Sequence, residues 1–180
     1  LDTKGPEIRV KTFKEDKVRL EEDATFTLTT REVEGDVNIV SVTYADLPKD
    51  VHRGSRILID DGLIELKVED ITETDVVCKV INGGVVKSRK GVNLPGVEVT
   101  LPSLMEKDIE DSKFGVENGF DIVAASFIRS AEDVLKIRRV LEENGGGQMH
   151  IISKIENQQG VENIDKILEA SDGIMVARGD

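Results

Sequence analysis

The segment DIVAASFIRSAEDVLKIRRVLEENGGGQMHIISKIE, residues 121–156, contains two apolar runs separated by an amphipathic stretch. Residues 121–128 form the first run, and residues 150–156 form the second, which becomes charged towards its end. Between them, Ser130 and Asp133 predict the start of a helix. Strands separated by a helix of this length pair in parallel, because the crossover returns the chain in the same direction. The segment therefore predicts an α/β fold.

The same alternation continues on both sides of this segment. Ser103, with Glu106 three residues later, resembles a capping box and predicts a helix that runs to about Asn118. Residues 161–170 predict another helix, and residues 173–177 predict another strand. Strands this apolar are expected to be covered on both faces. Two architectures fit, a (β/α) barrel and a doubly wound sheet, and the pattern alone does not choose between them.

Residues 10–100 have a different period, because polar and apolar side chains alternate every second position. Runs at 56–60 and 63–69 flank an Asp-Gly pair, which predicts a β-hairpin. Residues 75–81 predict a further strand, which Asn82 and the glycines after it end. Many short strands with frequent turn signals are typical of a small barrel or sandwich.

Composition excludes several classes of protein. The 180 residues carry a formal net charge of −12, which argues against a nucleic-acid binder, because phosphate contacts need a basic face. No apolar run approaches the roughly 18 residues that span a bilayer, so we expect no membrane segment. The single cysteine, Cys78, lies in an alternating apolar stretch and is interpreted as a packing residue. The chain starts at Leu1 without a methionine, and we expect it to be an excerpt of a longer protein.

Charged side chains gather where the later strands are predicted to end. Lys154 and Glu156 are two residues apart, which places them on one face of a strand, and Asp180 follows the last strand. Function in parallel α/β folds gathers at the C-terminal ends of strands. Two carboxylates beside one lysine could hold Mg²⁺ next to a cation that meets an anionic substrate. A structural salt-bridge network is the alternative that spacing alone leaves open.

Three other polar clusters have plain structural interpretations. Residues 1–9 are dense in charged and hydroxyl groups, but their pattern alone favours a strand end followed by a Gly-Pro turn and a solvated charge cluster. The Asp-Asp-Gly sequence at 60–62 favours a hairpin turn over a metal site. The basic run at 87–90 favours a solvated strand or loop.

Five sequence blocks follow one another along the chain. They are Leu-Asp-Thr-Lys-Gly-Pro-Glu-Ile-Arg at 1–9, Lys-Gly-Val-Asn-Leu-Pro-Gly at 90–96, Ala-Ser-Phe-Ile-Arg at 125–129, Ile-Ser-Lys-Ile-Glu-Asn at 152–157 and Met-Val-Ala-Arg-Gly-Asp at 175–180. Together, in this order and spacing, they resemble the pyruvate kinase family over the whole chain. The resemblance implies an α/β fold that is part of a (β/α)8 TIM barrel with an inserted small all-β barrel domain.

The resemblance also implies domain boundaries. Residues 1–8 would be the end of the third barrel strand, and residues 9–100 would be a mobile inserted β domain that closes over the nucleotide. Residues 101–180 would continue the barrel from its third helix to its sixth strand. On this interpretation the barrel, rather than the doubly wound sheet, is the expected architecture.

The activity implied by the resemblance is transfer of a phosphoryl group from phosphoenolpyruvate to ADP, giving pyruvate and ATP in glycolysis, with Mg²⁺ or Mn²⁺ and usually K⁺. By motif, Lys154 would lie beside the transferring phosphoryl group and the enolate oxygen. Glu156 and Asp180 would hold the divalent ion. The backbone N–H groups of Gly179 and Asp180 would bind the substrate carboxylate, and Phe127 would lie near the substrate pocket.

The same motifs imply sites for a monovalent cation and for the nucleotide. The Asp2 side chain and the Thr3 carbonyl would bind K⁺, while Arg9 and Lys90 would meet the nucleotide phosphates. Glu7 follows the Gly-Pro of the first motif, where the resemblance implies glutamate in K⁺-dependent members and lysine in K⁺-independent ones. A plain surface carboxylate at Glu7 is the alternative.

The resemblance further implies a cytoplasmic homotetramer whose partners are phosphoenolpyruvate or pyruvate and ADP or ATP. Family parts that would precede Leu1 and follow Asp180 are absent, so the excerpt alone is expected to be inactive. Two other functions remain open. One is another divalent-metal-dependent barrel enzyme acting on pyruvate or an oxoacid, and the other is a non-catalytic binding module.

Overall fold

The computed structural model describes residues 1–176, and within them the chain forms two compact units. The first unit comprises Leu1–Glu7 together with the chain from Leu101 onward. The second unit comprises Ile8–Thr100. The unit that is continuous in sequence is therefore inserted between the two segments of the other.

The second unit is built almost entirely of strands. They are β1 (Lys17–Leu20), β2 (Thr25–Thr29), β3 (Ile39–Ser41), β4 (Arg56–Ile59), β5 (Ile64–Ile71), β6 (Asp75–Asn82), β7 (Gly84–Lys87) and β8 (Val92–Asn93), with a short helix α1 (Leu47–Asp50). Six of them form one sheet in the order β3-β2-β6-β5-β4-β8, and β1 pairs with β7 separately. Neighbouring strands in the sheet are antiparallel except β2 and β3.

The segment from Ile8 to Lys11 connects the two outer strands of this sheet. On one side, the Val10 N–H donates to the Lys90 carbonyl at 2.9 Å, next to β8. On the other side, the Lys11 N–H donates to the Ser41 carbonyl of β3 at 2.7 Å. Because both edges pair with this segment, the sheet and the segment form a closed, barrel-like arrangement.

Apolar side chains from alternate strand positions fill the interior of this unit, as the period of two predicts. Side chains that point inward are fully buried, among them Phe26, Leu28, Ile57, Ile59, Leu66, Val76, Cys78 and Val80. Burial raises the pKa of the Cys78 thiol to about 12, so the interpretation of this cysteine as a packing residue is confirmed.

The predicted hairpin is also confirmed. β4 and β5 pair antiparallel with Ile59 opposite Ile64. The turn between them takes Asp60, Asp61 and Gly62 through φ values of 54°, 55° and 87°. Aspartate tolerates this left-handed region better than most residues, and glycine adopts it freely.

The end of the second unit is held by a cluster around Asp50. Its carboxylate accepts hydrogen bonds from the Thr100 N–H at 3.0 Å and from the Tyr44 hydroxyl. Burial, together with the hydrogen bond to Asp50, raises the pKa of Tyr44 to about 12. The short helix α1, which the sequence pattern did not predict, supplies Asp50 to this cluster.

The first unit alternates strands and helices, which confirms the predicted α/β class. Its elements are α2 (Glu106–Glu117), β9 (Ile122–Ala125), α3 (Ala131–Glu143), β10 (His150–Lys154), α4 (Gln158–Glu162), α5 (Ile164–Ala170) and β11 (Gly173–Met175). The three strands are parallel in the order β11-β10-β9. Asp2 adds a parallel bridge to Ala124, so the start of the chain extends the sheet beyond β9.

One face of this sheet packs against helices. The core contains Val123 and Ile151 from the strands, Val134 and Leu141 from α3, and Ile167 from α5. This packing follows from the pleat, because alternate residues of a strand point to the same face.

The other face of the same sheet is partly open. Ile122 is 46% exposed and Met175 is 41% exposed. Within residues 1–176, α3 and α5 cover one face of these strands, and the expectation that both faces are covered stays a prediction.

Two predicted helix boundaries need correction. Ser103 does not cap α2, which begins at Glu106, and the Asp108 carboxylate instead accepts the Met105 N–H at 3.1 Å. The Ser103 hydroxyl is buried, with no hydrogen-bond partner among residues 1–176. The helix predicted over 161–170 is two helices, α4 and α5, because the chain breaks at Asn163.

Of the helices in the described part of the chain, none combines the length and apolarity needed to cross a bilayer.

Candidate functional site

The C-terminal ends of β9 and β10 lie at the same edge of the parallel sheet in the first unit. Ser126 and Phe127 follow β9, and Lys154 ends β10. Asp2 lies beside β9 through its bridge to Ala124. The sheet register therefore brings side chains from three separate stretches of sequence to one place.

Lys154 is at the centre of this cluster. Its ammonium nitrogen lies 3.2 Å from Asp2 Oδ1, 3.1 Å from Ser126 Oγ and 3.6 Å from Glu156 Oε1. The Lys154 side chain is only 12% exposed. The oxygen atoms around the ammonium offset part of the cost of withdrawing a cation from water to this extent.

Glu156 has a second fixed contact. Its Oε2 atom accepts the Phe127 N–H at 2.8 Å, while Oε1 faces Lys154. Phe127 adopts a φ of 55°, in the left-handed region that a non-glycine residue rarely occupies. Strained backbone of this kind persists where the surrounding structure fixes it, and it gathers at functional sites.

Asp2 and Thr3 approach the same cluster from the start of the chain. The Thr3 carbonyl accepts the Ser126 hydroxyl at 2.6 Å, and the Thr3 hydroxyl accepts the Ser126 N–H at 3.1 Å. Thr3 is buried, whereas the Asp2 side chain is 67% exposed. The two oxygens predicted to bind K⁺, the Asp2 carboxylate and the Thr3 carbonyl, both contact Ser126.

Gly5 explains why the first motif contains a glycine. Its φ is +67°, and a Cβ atom there would lie 2.8 Å from the Ser126 carbonyl oxygen and 2.9 Å from Ser126 Cβ. No side chain fits at that separation without a shift. The Gly5 N–H also donates to Asp108 Oδ1 at 3.1 Å, which connects this segment to the start of α2.

Arg129, the last residue of the Ala-Ser-Phe-Ile-Arg block, has a structural role. Its side chain is 13% exposed, donates to the Leu101 carbonyl at 2.7 Å and lies 3.7 Å from Asp133. Asp133 also accepts the Ser130 N–H, while Ser130 Oγ accepts the Asp133 N–H at 3.3 Å. The predicted helix start at Ser130 is therefore confirmed.

The two predicted nucleotide residues lie near each other in the second unit. Arg9 bridges to Gly91, and its guanidinium donates to the Arg89 carbonyl at 2.7 Å. The Lys90 ammonium lies 2.8 Å from the Asp60 carboxylate. Asp60 itself is held next to Lys90 because its N–H donates to the Gly91 carbonyl at 3.0 Å.

The remaining predicted site residues divide into two groups. The Glu7 carboxylate lies 3.9 Å from the Lys4 ammonium, and its side chain is 16% exposed. Gly179 and Asp180, the predicted substrate-carboxylate site and the predicted second ligand of a divalent ion, lie outside the described residues.

The donor atoms of the described residues are compatible with part of each cation site. A divalent hard cation prefers carboxylate oxygens, and Glu156 provides one carboxylate whose orientation the Phe127 N–H fixes. Residues 1–176 contain no cluster of three or more His, Cys, Asp or Glu side chains that could hold a metal. For the monovalent ion, the Thr3 carbonyl keeps one lone pair after the bond from Ser126.

The sequence pattern missed several residues that shape these sites. The pattern gives no role to Ser126 or Asp108 and only a turn position to Asp60, although all three hold a predicted site residue or the segment that carries it. For Ser126 a signal exists, because it directly follows an apolar strand in a parallel fold. For Asp108 the signal is the alternative capping box, with an acid three residues after Met105.

Comparison with known proteins gives a consistent result over the whole chain. Residues 1–180 match the sequence model of the family described as "Pyruvate kinase, barrel domain". The chain is 56% identical over its full length to a pyruvate kinase of Clostridium acetobutylicum, of which it covers 38%. It is 52% identical to pyruvate kinases of Staphylococcus saprophyticus and Bacillus licheniformis, covering 31% of each. The chain thus spans roughly a third of the length of these curated relatives.

Proposed function

The chain belongs to the pyruvate kinase family, and we propose that the protein transfers a phosphoryl group from phosphoenolpyruvate to ADP, giving pyruvate and ATP in glycolysis. The observation that carries this proposal is the Lys154 ammonium, held by Asp2, Ser126 and Glu156 at the C-terminal edge of a parallel sheet. A fixed cation in a position withdrawn from water suits an anion whose charge moves during reaction.

The proposed architecture is a (β/α)8 TIM barrel with an inserted small β domain. Three parallel strands with helices on one face support it, as does the bridge from Asp2 to Ala124, which adds a fourth parallel chain segment. The inserted domain would be residues 9–100, and residues 1–8 and 101–180 would belong to the barrel. The closed sheet of the second unit supports the description of the insert as a small barrel.

Lys154 would act on the transferring phosphoryl group. Phosphoryl transfer proceeds through a loose transition state, so catalysis consists mainly of positioning and of neutralising charge on the equatorial oxygens. The Lys154 ammonium would supply that positive charge and would stabilise the enolate oxygen left behind. Its three oxygen contacts keep it oriented before substrate arrives.

Glu156, together with Asp180, would hold Mg²⁺ or Mn²⁺. When bound, the divalent ion would supply Lewis-acid stabilisation of negative charge on substrate oxygens. Glu156 fits this role because one of its oxygens is fixed by the Phe127 N–H. The backbone N–H groups of Gly179 and Asp180 would bind the substrate carboxylate, and Phe127 would line the substrate pocket.

Asp2 and Thr3 would bind K⁺ beside this site, since both contribute oxygens that contact Ser126. Arg9 and Lys90 would meet the nucleotide phosphates, and their proximity within the second unit supports a shared ligand. The Asp60 carboxylate would hold the Lys90 ammonium in place until phosphate oxygens replace it.

We further propose that the protein is a cytoplasmic homotetramer. Its partners would be small phosphorylated and carboxylated metabolites rather than nucleic acid, which agrees with the net charge of −12.

The experiment that tests the function is a steady-state assay of the full-length protein with phosphoenolpyruvate, ADP, Mg²⁺ and K⁺, coupling pyruvate formation to NADH oxidation. We expect turnover that requires ADP and the divalent ion. Pyruvate release that is independent of ADP would point to a different barrel enzyme, and an absence of turnover would point to a non-catalytic module. Either of these results would overturn the proposal.

A further inference from the structure

Two consecutive residues after β9 contact both charged groups at the end of β10. The Ser126 hydroxyl accepts the Lys154 ammonium at 3.1 Å, and the Phe127 N–H donates to Glu156 Oε2 at 2.8 Å. One short stretch of backbone therefore touches the cation that ends β10 and the carboxylate two residues beyond that strand. The spacing of charged residues along the chain does not predict these two contacts of Ser126 and Phe127.

The Ser126 hydroxyl has a defined orientation. It can donate one hydrogen bond, and two acceptors lie within reach: the Thr3 carbonyl at 2.6 Å and Asp2 Oδ1 at 3.4 Å. The shorter contact is much the stronger, so the hydroxyl proton points to Thr3. The lone pairs that remain face the Lys154 ammonium, which can only donate.

Ser126 is also held rigidly. It is 5% exposed, and its N–H donates to the Thr3 hydroxyl at 3.1 Å. Gly5 packs so closely against it that an added Cβ atom would lie 2.9 Å from Ser126 Cβ. A group with so little freedom can orient a flexible lysine side chain. Because Ser126 is already fixed, it loses no further conformational entropy when it accepts the hydrogen bond from the ammonium.

Phe127 contributes through its backbone. Its φ of 55° is unfavourable for a residue with a side chain. In this backbone conformation, the Phe127 N–H donates its hydrogen bond to Glu156. This bond fixes one oxygen of the carboxylate, while the other lies 3.6 Å from Lys154. Outer contacts of this kind orient the ligands of metal ions and raise the affinity for the metal.

We propose that Ser126 and Phe127 are positioning residues: the Ser126 hydroxyl aims the Lys154 ammonium, and the Phe127 N–H aims the Glu156 carboxylate at a divalent cation. The catalytic consequence rests on the proposed function, but the two contacts lie wholly within the first unit.

The first test compares Ser126→Ala with Ser153→Ala in the full-length protein. Ser153 is a matched control because it is buried, precedes Lys154 directly and bonds Ser171 at 2.6 Å rather than the site. We expect Ser126→Ala to lower kcat roughly tenfold, since a hydrogen bond to a charged group is lost, with a smaller change in the KM for phosphoenolpyruvate. Ser153→Ala should leave kcat within about twofold of wild type.

A readout that needs no activity accompanies this test. Labelling of Lys154 by an amine-reactive reagent, followed by mass spectrometry, should be faster in Ser126→Ala than in Ser153→Ala, because the amine has lost a fixed acceptor. Equal labelling in the two variants would overturn the role of Ser126. If wild type lacks the proposed activity, the labelling result still decides this inference separately.

The second test separates the backbone of Phe127 from its ring. Glycine, in Phe127→Gly, adopts a positive φ freely. Phe127→Ala removes the ring but keeps a Cβ atom, so the backbone strain remains. Phe127→Val adds a β-branched side chain, which strongly disfavours a positive φ. Binding of Mn²⁺ alone, measured by electron paramagnetic resonance of the free ion, should stay close to wild type for glycine. We expect about tenfold weaker binding for valine and an intermediate value for alanine.

Circular dichroism establishes that each variant is folded before Mn²⁺ is added. Equal weakening in all three variants would mean that the ring, not the N–H group, supports Glu156, and the inference for Phe127 would be wrong. Unchanged binding in all three would also overturn it.

Discussion

The ammonium group of Lys154 lies among oxygen atoms that belong to Asp2, Ser126 and Glu156. Two of these contacts are with carboxylates, so the charge is compensated before any substrate binds. A substrate phosphate would therefore meet a cation that is already oriented, and the gain in interaction comes as negative charge develops in the transition state.

At this residue we expect Lys154→Met to lower kcat far more than it raises the KM for phosphoenolpyruvate. A loss of about 3 kcal/mol of transition-state stabilisation, or more than about 100-fold, is typical of such a group. Steady-state kinetics of the full-length protein measures both constants. Lys136→Met, on the exposed face of α3, is the control and should behave as wild type. An unchanged kcat in Lys154→Met would remove Lys154 from the proposed mechanism.

The sequence could predict that Lys154 and Glu156 lie close together, because they are two residues apart, but the predicted strand over 150–156 is too long: β10 ends at Lys154, and Glu156 lies beyond it. It could not predict the contact with Ser126. That contact depends on the register of β9 against β10, in which Ala125 lies opposite Ser153. A shift of one residue would point the neighbouring side chains to the other face, and nothing local in either strand specifies the pairing.

At the scale of elements, a hairpin with its own turn signal is easier to predict than the end of a helix or strand, and β10 indeed ends at Lys154 rather than at 156. The hairpin of β4 and β5 is encoded by its own turn residues. The predicted start of α2 at Ser103 is wrong because Ser103 and Asp108 both offer side chains that can cap a helix. The distant residue Gly5 favours Asp108. Asp108 accepts the N–H of Gly5, a contact across more than a hundred positions that local pattern does not contain.

The same limit explains the break between α4 and α5. Asn163 lies at the break, and its side chain donates to the Arg129 carbonyl at 3.0 Å. Gly160 packs against the Ile128 carbonyl, where a Cβ atom would approach to 2.6 Å. Both contacts are with the loop after β9, so tertiary packing rather than helix propensity sets the break.

Asp172, which precedes β11, connects elements at the opposite edge of the sheet. Its carboxylate accepts the Ile151 N–H at 2.8 Å and the Arg138 guanidinium at 2.6 Å. These two contacts lower the pKa of Asp172 from 3.8 to about 2. Because the pKa is lower in the folded state, the stabilisation is present above about pH 4 and is lost as pH falls towards 2.

We therefore expect Asp172→Asn to lower the Tm at neutral pH, and the difference from wild type to shrink as pH falls from about 4 to about 2. Thermal unfolding followed by circular dichroism across this pH range measures the difference. Asp121→Asn is the matched control, because Asp121 is exposed and precedes β9 as Asp172 precedes β11. A difference that stays constant with pH would contradict the assigned cause.

At the scale of the whole molecule, the chain separates into two units with different chemistry. The first holds Lys154 and Glu156, and the second holds Arg9 and Lys90. If the proposed function is correct, phosphoryl transfer needs the nucleotide residues of the second unit as well as Lys154, whereas protonation of the enolate does not need the nucleotide.

Lys90→Ala tests this division of labour. We expect a higher KM for ADP, because a phosphate contact is lost, with enolate protonation largely intact when it is measured as proton exchange of the pyruvate methyl group in deuterated water. Lys79→Ala is the control, since Lys79 also pairs with an aspartate of the second unit, Asp23 at 2.7 Å. Equal damage to both half-reactions would show that Lys90 acts outside nucleotide binding.

The last prediction concerns the balance of charge in the full site. Phosphoenolpyruvate carries a phosphate and a carboxylate, so a site with one fixed positive charge too few binds it weakly. A K⁺ ion at the oxygens of Asp2 and Thr3 would supply that charge, and an ammonium at position 7 could replace it only in part. A tethered ammonium donates a few directed hydrogen bonds, whereas a K⁺ ion is coordinated by several oxygen atoms at once.

We accordingly expect wild type to lose most of its activity when K⁺ is replaced by tetramethylammonium at equal ionic strength, and Glu7→Lys to lose clearly less. The Glu7 side chain is 16% exposed, which favours a role in the site over that of a plain surface carboxylate. Glu143→Lys, at the exposed end of α3, makes the same change in net charge elsewhere and should keep the K⁺ requirement of wild type. Equal wild-type rates in the two salts would refute the K⁺ requirement. If Glu143→Lys relieved the requirement as well as Glu7→Lys does, the effect would belong to the overall charge of −12 rather than to position 7.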